Sequence, residues 1–213
     1  MLELGVKALL SYLLGSIVGS LLVGRLRGGV DIRKVGSGNA GGTNALRTQG
    51  KWFAFWVILI DVGKGVIAAA VVPEARLPGI SPDLAVSREW LTVACAAAAI
   101  LGHVYPVWHE FRGGKGAATL VGTLLGLNPA LLLPVIAVWL LTVMITGYVG
   151  LATMCASAAL PVYVCLTESP PPAPLVTFTV GVTLLVMFTH RGNVARMLRG
   201  NENRARRLWL LRR

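Results

Sequence analysis

The residues with the clearest chemical potential lie in a polar, glycine-dense loop between two long apolar segments. Residues 36–47 read G-S-G-N-A-G-G-T-N-A-L-R. Glycine permits positive φ values and a close approach of the backbone to a ligand, and successive N–H groups in such a loop can converge on an anion. Side-chain donors lie at Ser37, Asn39, Thr43 and Asn44. The guanidinium of Arg47 forms a planar fork that suits a phosphate. The loop therefore predicts a site for a phosphorylated ligand.

The alternative is a flexible linker, although linkers seldom carry so many Asn, Thr and Arg residues among glycines.

Two further polar segments carry ionisable side chains. Residues 102–116 read G-H-V-Y-P-V-W-H-E-F-R-G-G-K-G, and residues 190–193 read H-R-G-N. The F-R-G-G-K-G stretch has the composition of a phosphate-binding loop. It is no Walker motif, because Gly116 occupies the position of the magnesium-binding Ser or Thr. Together with the first loop, this stretch predicts two anion sites.

The three histidines stand in different contexts. His103 ends an apolar segment, where it is either a hydrogen-bonded interfacial residue or a functional one. His109 stands beside Glu110 and is interpreted as structural. His190 and Asn193 are three residues apart, so both can face the interior of a helical bundle. The histidine spacing is unlike a zinc signature, and the cysteines lie inside apolar runs, so we predict no metal site and no cofactor.

The composition predicts an all-α integral membrane protein. Of the 213 residues, 55% are apolar, and the mean hydropathy of +0.70 is too high for a soluble domain of this length. Apolar stretches of about 20 residues cross a bilayer as helices. We predict one domain, residues 1–213, with seven transmembrane helices: Leu4–Gly24, Trp52–Val72, a third ending near Tyr105, the short helix Ala117–Leu127, two on either side of a break at Thr146-Gly147 within Ala130–Leu166, and Leu175–Thr189.

The distribution of basic residues predicts the topology. The whole polar stretch Arg25–Lys51, which contains the first loop, holds six Lys and Arg residues, the second polar segment two and the C-terminal tail eight, which is 16 of 20 on one side. The positive-inside rule then places all three segments in the cytoplasm, with the N-terminus outside the plasma membrane and the C-terminus inside. The interleaved Arg and Leu residues of Arg204–Arg213 are expected to lie on anionic headgroups. The net charge of +11 indicates membrane lipid and anionic partners, not nucleic acid, because no segment supplies a soluble basic face.

Two charges stand inside the second predicted span. Asp61 and Lys64 are three residues apart and so share a helix face. Each costs roughly 2.5–3.5 kcal/mol at a bilayer centre on insertion scales. Two interpretations stay open: a structural ion pair between helices, or a pair that supports a polar site.

The three polar segments resemble the motifs of the bacterial acyl-phosphate:glycerol-3-phosphate acyltransferase family, called PlsY. Ser37–Arg47 is similar to the family's S-G-N-P-G-A-T-N-x-x-R, and Gly102–Thr119 to its G-H-x-x-P-x-x-x-x-F-K/R-G-G-K-G-x-A-T. His190–Gly200 is similar to H-x-x-N-I-x-R-L-x-x-G, and Asp61–Gly65 to D-x-x-K-G. The motifs occur in the family's order and the resemblance covers essentially the whole chain.

The resemblance implies transfer of a fatty acyl group from acyl phosphate to the 1-hydroxyl of sn-glycerol 3-phosphate, giving lysophosphatidic acid and phosphate. It implies two catalytic residues, His103 and Asn193, which orient the reacting groups and stabilise developing charge. The implied substrate-binding residues are Ser37, Gly38, Asn39, Thr43, Asn44, Arg47, Arg112, Gly114, Lys115 and His190. The base is either His103 or the acceptor's own phosphate.

Two other classes of protein compete with an acyltransferase. A transporter of organic phosphates would use the same cationic face and a helix N-terminus for anion binding. The chain shows no internal repeat, and its predicted outer loops are nearly uncharged or balanced. A structural membrane scaffold with a basic tail would leave the clustered glycine loops without a purpose.

Overall fold

The computed structural model describes residues 1–211 as helices joined by short loops, with no β-strand in that range. The helices group into two compact units, Met1–Asn128 and Pro129–Arg213, called the first and second units below. The α-helices of the first unit are α1 (Leu2–Gly15), α2 (Gly19–Leu26), α3 (Gly42–Gln49), α4 (Lys51–Val66), α5 (Arg88–Val104) and α6 (Ala117–Leu127). Those of the second unit are α7 (Leu132–Thr146), α8 (Val149–Thr167), α9 (Ala173–Thr189) and α10 (Arg191–Leu198).

The helix lengths confirm an all-helical integral membrane protein. Within residues 1–211, four helical stretches are long and apolar enough to cross a bilayer: Lys51–Val71, Arg88–His109, Pro129–Thr146 and Val149–Thr167. Two bent pairs, α1 with α2 (47°) and α9 with α10 (48°), raise the number to six if each pair is one span. Helix α6 is apolar but short. The predicted number of seven spans and the orientation of the termini therefore stay predictions.

Two of the predicted helix boundaries are confirmed. The short helix begins at Ala117 directly after Gly116, whose φ of +88° favours glycine. The long apolar stretch breaks after Thr146 at Gly147, which caps α7 in a left-handed conformation at φ +74°.

The predicted first span, Leu4–Gly24, consists of two helices, because the chain breaks between Gly15 and Gly19. Side chains of α4 satisfy the backbone groups that this break exposes. The Lys64 ammonium donates to the carbonyls of Gly15 (2.8 Å) and Ile17 (2.7 Å). Asp61 Oδ1 accepts from the N–H of Gly19 at 3.0 Å, where α2 begins. The break is therefore stabilised by an ion pair from a distant part of the chain.

Helices of the first unit approach closely at glycines. A Cβ built at Gly65 of α4 would lie 2.4 Å from the carbonyl oxygen of Thr119 in α6. A Cβ at Gly15 of α1 would lie 2.1 Å from the carbonyl oxygen of Ala99 in α5. Small residues of this kind let helix backbones pack in contact within a membrane. This packing fixes α4, α5 and α6, which carry or introduce the polar segments.

The C-terminal tail folds back on the second unit. The Arg204 guanidinium lies 4.1 Å from the ring centre of Trp209 and donates to the Tyr148 hydroxyl at 2.9 Å. Trp209 Nε1 donates to the carbonyl of Ile145 at 3.0 Å. These contacts hold Arg204 and Trp209 at the α7–α8 break, and the position of Arg204–Arg213 on anionic headgroups stays a prediction. Arg212 and Arg213 lie outside the described residues.

The close contact at Gly65 generates a stability prediction with a control in the same helix. We expect Gly65→Ala to lower the free energy of unfolding by about 1–3 kcal/mol, because the added methyl overlaps the α6 backbone. Gly63→Ala should raise it by about 0.5–1 kcal/mol through helix propensity, because a Cβ at Gly63 meets no atom within 4 Å. Unfolding in detergent measures both. Equal effects of the two substitutions would contradict the proposed contact.

Candidate active site

Asn44 fixes the conformation of the first loop through hydrogen bonds from its side chain to backbone groups. Its carboxamide nitrogen donates to the carbonyls of Ile32, Val35 and Asn39 at 3.0–3.1 Å. Its Oδ1 accepts from the N–H of Ser37 at 3.0 Å. The side chain is 2% exposed. These hydrogen bonds tie the Asn44 carboxamide to the backbone around it and hold that backbone in shape. Direct substrate binding by Asn44 stays a prediction.

The other predicted donors of the first loop face outward. Ser37, Gly38, Thr43 and Arg47 are exposed, and Asn39 is half-buried. Thr43 and Arg47 are four residues apart on α3, so they lie on one helix face. The first turn of α3 begins at Gly42, and helix N-termini present N–H groups without intrahelical acceptors. The outer face of the loop therefore combines a hydroxyl, a guanidinium and a helix N-terminus, which together suit a phosphate.

Arg33 joins the first loop to the second polar segment. Its guanidinium pairs with both carboxylate oxygens of Asp31, at 3.0 and 2.9 Å. It also donates to the carbonyls of His109 (3.2 Å) and Arg112 (3.3 Å). The hydrogen bonds from Arg33 hold the pKa of Asp31 below its usual value. Asp31 therefore stays ionised at neutral pH and keeps the guanidinium oriented between the two glycine loops.

The second glycine loop folds against His103. The N–H groups of Gly113 and Gly114 donate to the carbonyls of Val104 and His103, both at 3.1 Å. A Cβ at Gly114 would lie 2.1 Å from His103 Nε2, so only glycine fits there without displacing the imidazole. Lys115 follows half-buried and Arg112 is exposed. Two cationic residues thus flank the glycines that pack against the imidazole.

His103 itself lies in a buried polar cluster with Asp61 and Lys64. The Lys64 ammonium is 2.9 Å from Asp61 Oδ1 and 2.9 Å from His103 Nδ1. His103 Nδ1 lies 3.3 Å from Asp61 Oδ1. All three side chains are at most 3% exposed. The ion pair therefore has features of both interpretations. It bonds to the backbone groups at the α1–α2 break, as a structural pair would, and it contacts a predicted catalytic residue, as a pair that supports a polar site would.

The second unit holds the remaining two predicted residues, His190 and Asn193, both buried. His190 Nδ1 lies 2.8 Å from the carbonyl oxygen of Val186. The carboxamide nitrogen of Asn193 donates to Glu202 Oε1 at 2.9 Å. Arg196 Nε donates to the other carboxylate oxygen of Glu202. A Cβ at Gly150 would lie 2.7 Å from Asn193 Nδ2, so this glycine gives the carboxamide its space against α8.

Three residues that make these contacts were not predicted from the sequence: Arg33, Glu202 and, as a partner of His103, Lys64. Glu202 carried the one available signal, because it is the only acidic residue after Glu168. A lone carboxylate among arginines predicts an ion pair, although it does not predict the contact with Asn193. Within residues 1–211, no group of three or more His, Cys, Asp or Glu side chains is placed to hold a metal ion.

Comparison with known proteins gives consistent relatives over nearly the whole length. The family model for glycerol-3-phosphate acyltransferase matches residues 6–200. A glycerol-3-phosphate acyltransferase of Sinorhizobium medicae is 42% identical over 193 residues, covering 91% of this chain and 88% of the relative. One of Symbiobacterium thermophilum is 42% identical over 204 residues, covering 96% of each.

A solved structure shows the same fold. The crystal structure of PlsY, an integral membrane glycerol 3-phosphate acyltransferase, in its glycerol 3-phosphate form superposes with a TM-score of 0.79 at 30% identity and covers 94% of both chains. The predicted family membership is thereby confirmed, and the chain belongs to the glycerol-3-phosphate acyltransferase family.

Proposed function

We propose that this protein transfers a fatty acyl group from an acyl phosphate to the 1-hydroxyl of sn-glycerol 3-phosphate. Membership of the family establishes acyl transfer to glycerol 3-phosphate. The proposal adds that the acyl donor is an acyl phosphate. The observation that carries the proposal is the pair of hydrogen bonds from Arg33 to the carbonyls of His109 and Arg112. These bonds hold two cationic glycine loops together within the first unit. Similar structures of PlsY are described as a glycerol 3-phosphate form and a lysophosphatidic acid form, an acceptor and its acylated product.

The chemistry of an acyl phosphate fits these loops. Donor and acceptor each carry a phosphate, which accounts for two cationic loops in one unit. Phosphate leaves readily from a mixed anhydride, so transfer needs no covalent acyl-enzyme. The acceptor hydroxyl attacks the acyl carbon, the carbon–oxygen bond to phosphate breaks, and the hydroxyl proton passes to a base. The products are lysophosphatidic acid and inorganic phosphate.

We assign the phosphate-binding role to the exposed cations and donors of the first unit. Ser37, Thr43 and Arg47 of the first loop bind one phosphate with the N-terminus of α3. Arg112 and Lys115 bind the other, and neighbouring glycines allow close approach. His103 contacts the reacting groups.

In the second unit, we assign Asn193 to orientation of the reacting groups and His190 to a position next to a phosphate. Both are buried polar side chains with a fixed partner. Preorganised donors of this kind stabilise charge that develops in the transition state. The chain is proposed to act as a single domain in the plasma membrane, with seven spans, the C-terminus inside and the substrates bound from the cytoplasm.

The deciding experiment is phosphate release by the purified protein in detergent. With palmitoyl phosphate, we expect release that requires glycerol 3-phosphate, and no transfer from palmitoyl-CoA. Transfer from palmitoyl-CoA alone would overturn the donor assignment. Saturable uptake of glycerol 3-phosphate into vesicles without any acyl transfer would support the transporter instead.

The first loop gives a mutational prediction with a matched arginine. Arg47→Ala should lower kcat/KM by on the order of 10²-fold, because a charge-assisted donor to phosphate is lost. Arg27→Ala removes another exposed arginine preceding the same loop and should leave kcat/KM within about threefold, since a solvated surface charge contributes little. Equal losses in the two variants would show a general charge effect and contradict the site.

A second mutational prediction concerns Glu202. Glu202→Gln weakens the acceptor that holds the Asn193 amide and breaks the pair with Arg196. We expect kcat to fall by about 10–100-fold, because the reacting groups lose their orientation. Glu168→Gln, an exposed glutamate of the same unit, is the control and should leave kcat unchanged. Normal turnover by a folded Glu202→Gln protein would refute the positioning role.

A further inference from the structure

We propose that Lys64, held by Asp61, is a positioning residue that fixes His103 as the imidazole tautomer with its proton on Nε2. His103 then donates a hydrogen bond to the reacting groups and does not accept a proton from them. This role presupposes the proposed function, in which His103 contacts substrate. The placement of the proton follows from the geometry and the charges of the cluster and does not depend on the proposed function.

The surroundings of the Lys64 ammonium carry the first step. Four acceptors lie within 2.9 Å of Nζ: the carbonyls of Gly15 and Ile17, Asp61 Oδ1 and His103 Nδ1. An ammonium has three protons, and the two carbonyls take the shortest bonds. The third proton is left for Asp61 and His103, which share it. Nδ1 of His103 therefore faces a donor and offers its lone pair.

The opposite tautomer fits the distances less well. A proton on Nδ1 would have Asp61 Oδ1 as its acceptor at 3.3 Å, which is long for a hydrogen bond to a carboxylate. The same proton would lie beside the ammonium nitrogen, 2.9 Å from Nδ1. Two donors would then face each other in a buried cluster. The 2.9 Å contact is instead of ordinary length for Lys64 donating to Nδ1.

A doubly protonated imidazole is disfavoured by charge. Asp61 balances Lys64, so a cationic His103 would leave a net positive charge on three side chains that are almost fully buried. An uncompensated charge in such a place is costly, and Asp61 is the one carboxylate in the contacts given above for the cluster. His103 is therefore neutral, with one proton to place.

The remaining ring nitrogen faces the glycine loop. Nε2 lies against Gly114, where a Cβ would be only 2.1 Å away, and the next residue is Lys115. With Nδ1 held by Lys64, the single proton is on Nε2 and points to the side where the phosphate-binding loop runs. An N–H in this position stabilises an oxygen that gains negative charge.

The test is the ¹⁵N NMR spectrum of the whole protein labelled with [¹⁵N]histidine in detergent micelles. The chain has three histidines, and His103→Gln assigns the resonance of interest by its loss. We expect His103 to show an unprotonated Nδ1 and a protonated Nε2. His190 supplies an internal reference of the opposite kind, because its Nδ1 donates to the Val186 carbonyl. A protonated Nδ1 on His103 would overturn the proposal without any variant.

Kinetics then separate positioning from structure through two buried lysines. Lys7 is 2% exposed and, like Lys64, is bonded to a carboxylate and a carbonyl, those of Glu3 (2.7 Å) and Pro73 (2.6 Å), with no histidine among these contacts. Lys7→Met should lower stability but leave kcat and the His103 spectrum unchanged. Lys64→Met should move the His103 proton to Nδ1, facing Asp61, and lower kcat by about 10²-fold. The KM for glycerol 3-phosphate should change much less.

The outcomes are distinct. Equal losses of kcat in both lysine variants, with the His103 tautomer unchanged, would make Lys64 merely structural and overturn the proposal. If Lys64→Met does not fold, the wild-type spectrum decides by itself. A wild-type protein with the Nε2–H spectrum but no acyl transfer would reject the proposed function while supporting the placement of the proton.

Discussion

The buried ion pair of Asp61 and Lys64 is the interaction on which the first unit depends. Breaking a membrane helix exposes backbone groups that lipid cannot satisfy, and each such group costs several kcal/mol. Lys64 donates to the carbonyls that end α1, and Asp61 accepts from the N–H that begins α2. The same pair contacts His103, so the local geometry of α1–α2 and the orientation of the imidazole have one cause. Removing one partner would leave the other charge buried and unpaired.

Glycine serves two purposes in this chain. At Gly15 and Gly65 it brings helix backbones into contact, and the dense packing that results holds the polar segments in place. At Gly36 and Gly114 it leaves room for a functional neighbour, the Asn44 carboxamide in one case and the His103 ring in the other. Polar loops at the edge of a membrane protein are usually mobile. Here the glycines permit close contacts that give the loops fixed shapes.

The part of the fold that sequence could predict depends on local signals. The break at Thr146-Gly147 and the start of α6 follow from glycines and from apolar lengths that do not match one span. The break between α1 and α2 could not be predicted, because side chains more than 40 positions away compensate it. For the site, motif spacing predicts Ser37, Thr43 and Arg47 as phosphate donors, and the structure exposes all three. Motif spacing could not predict that the Asn44 side chain is buried against the loop backbone. An asparagine that faces solvent and one that is bonded to the backbone look the same in sequence.

The contacts of Glu202 lie beyond the residues that the family model matches. The family model stops at Gly200, yet the carboxylate that holds the Asn193 amide stands two positions later. Arg204 and Trp209 then bind the α7–α8 turn. A protein shortened to its family-matched portion would retain every motif residue and still lose the group that orients one of them. The contacts that hold Asn193 therefore extend beyond the residues that carry the motifs.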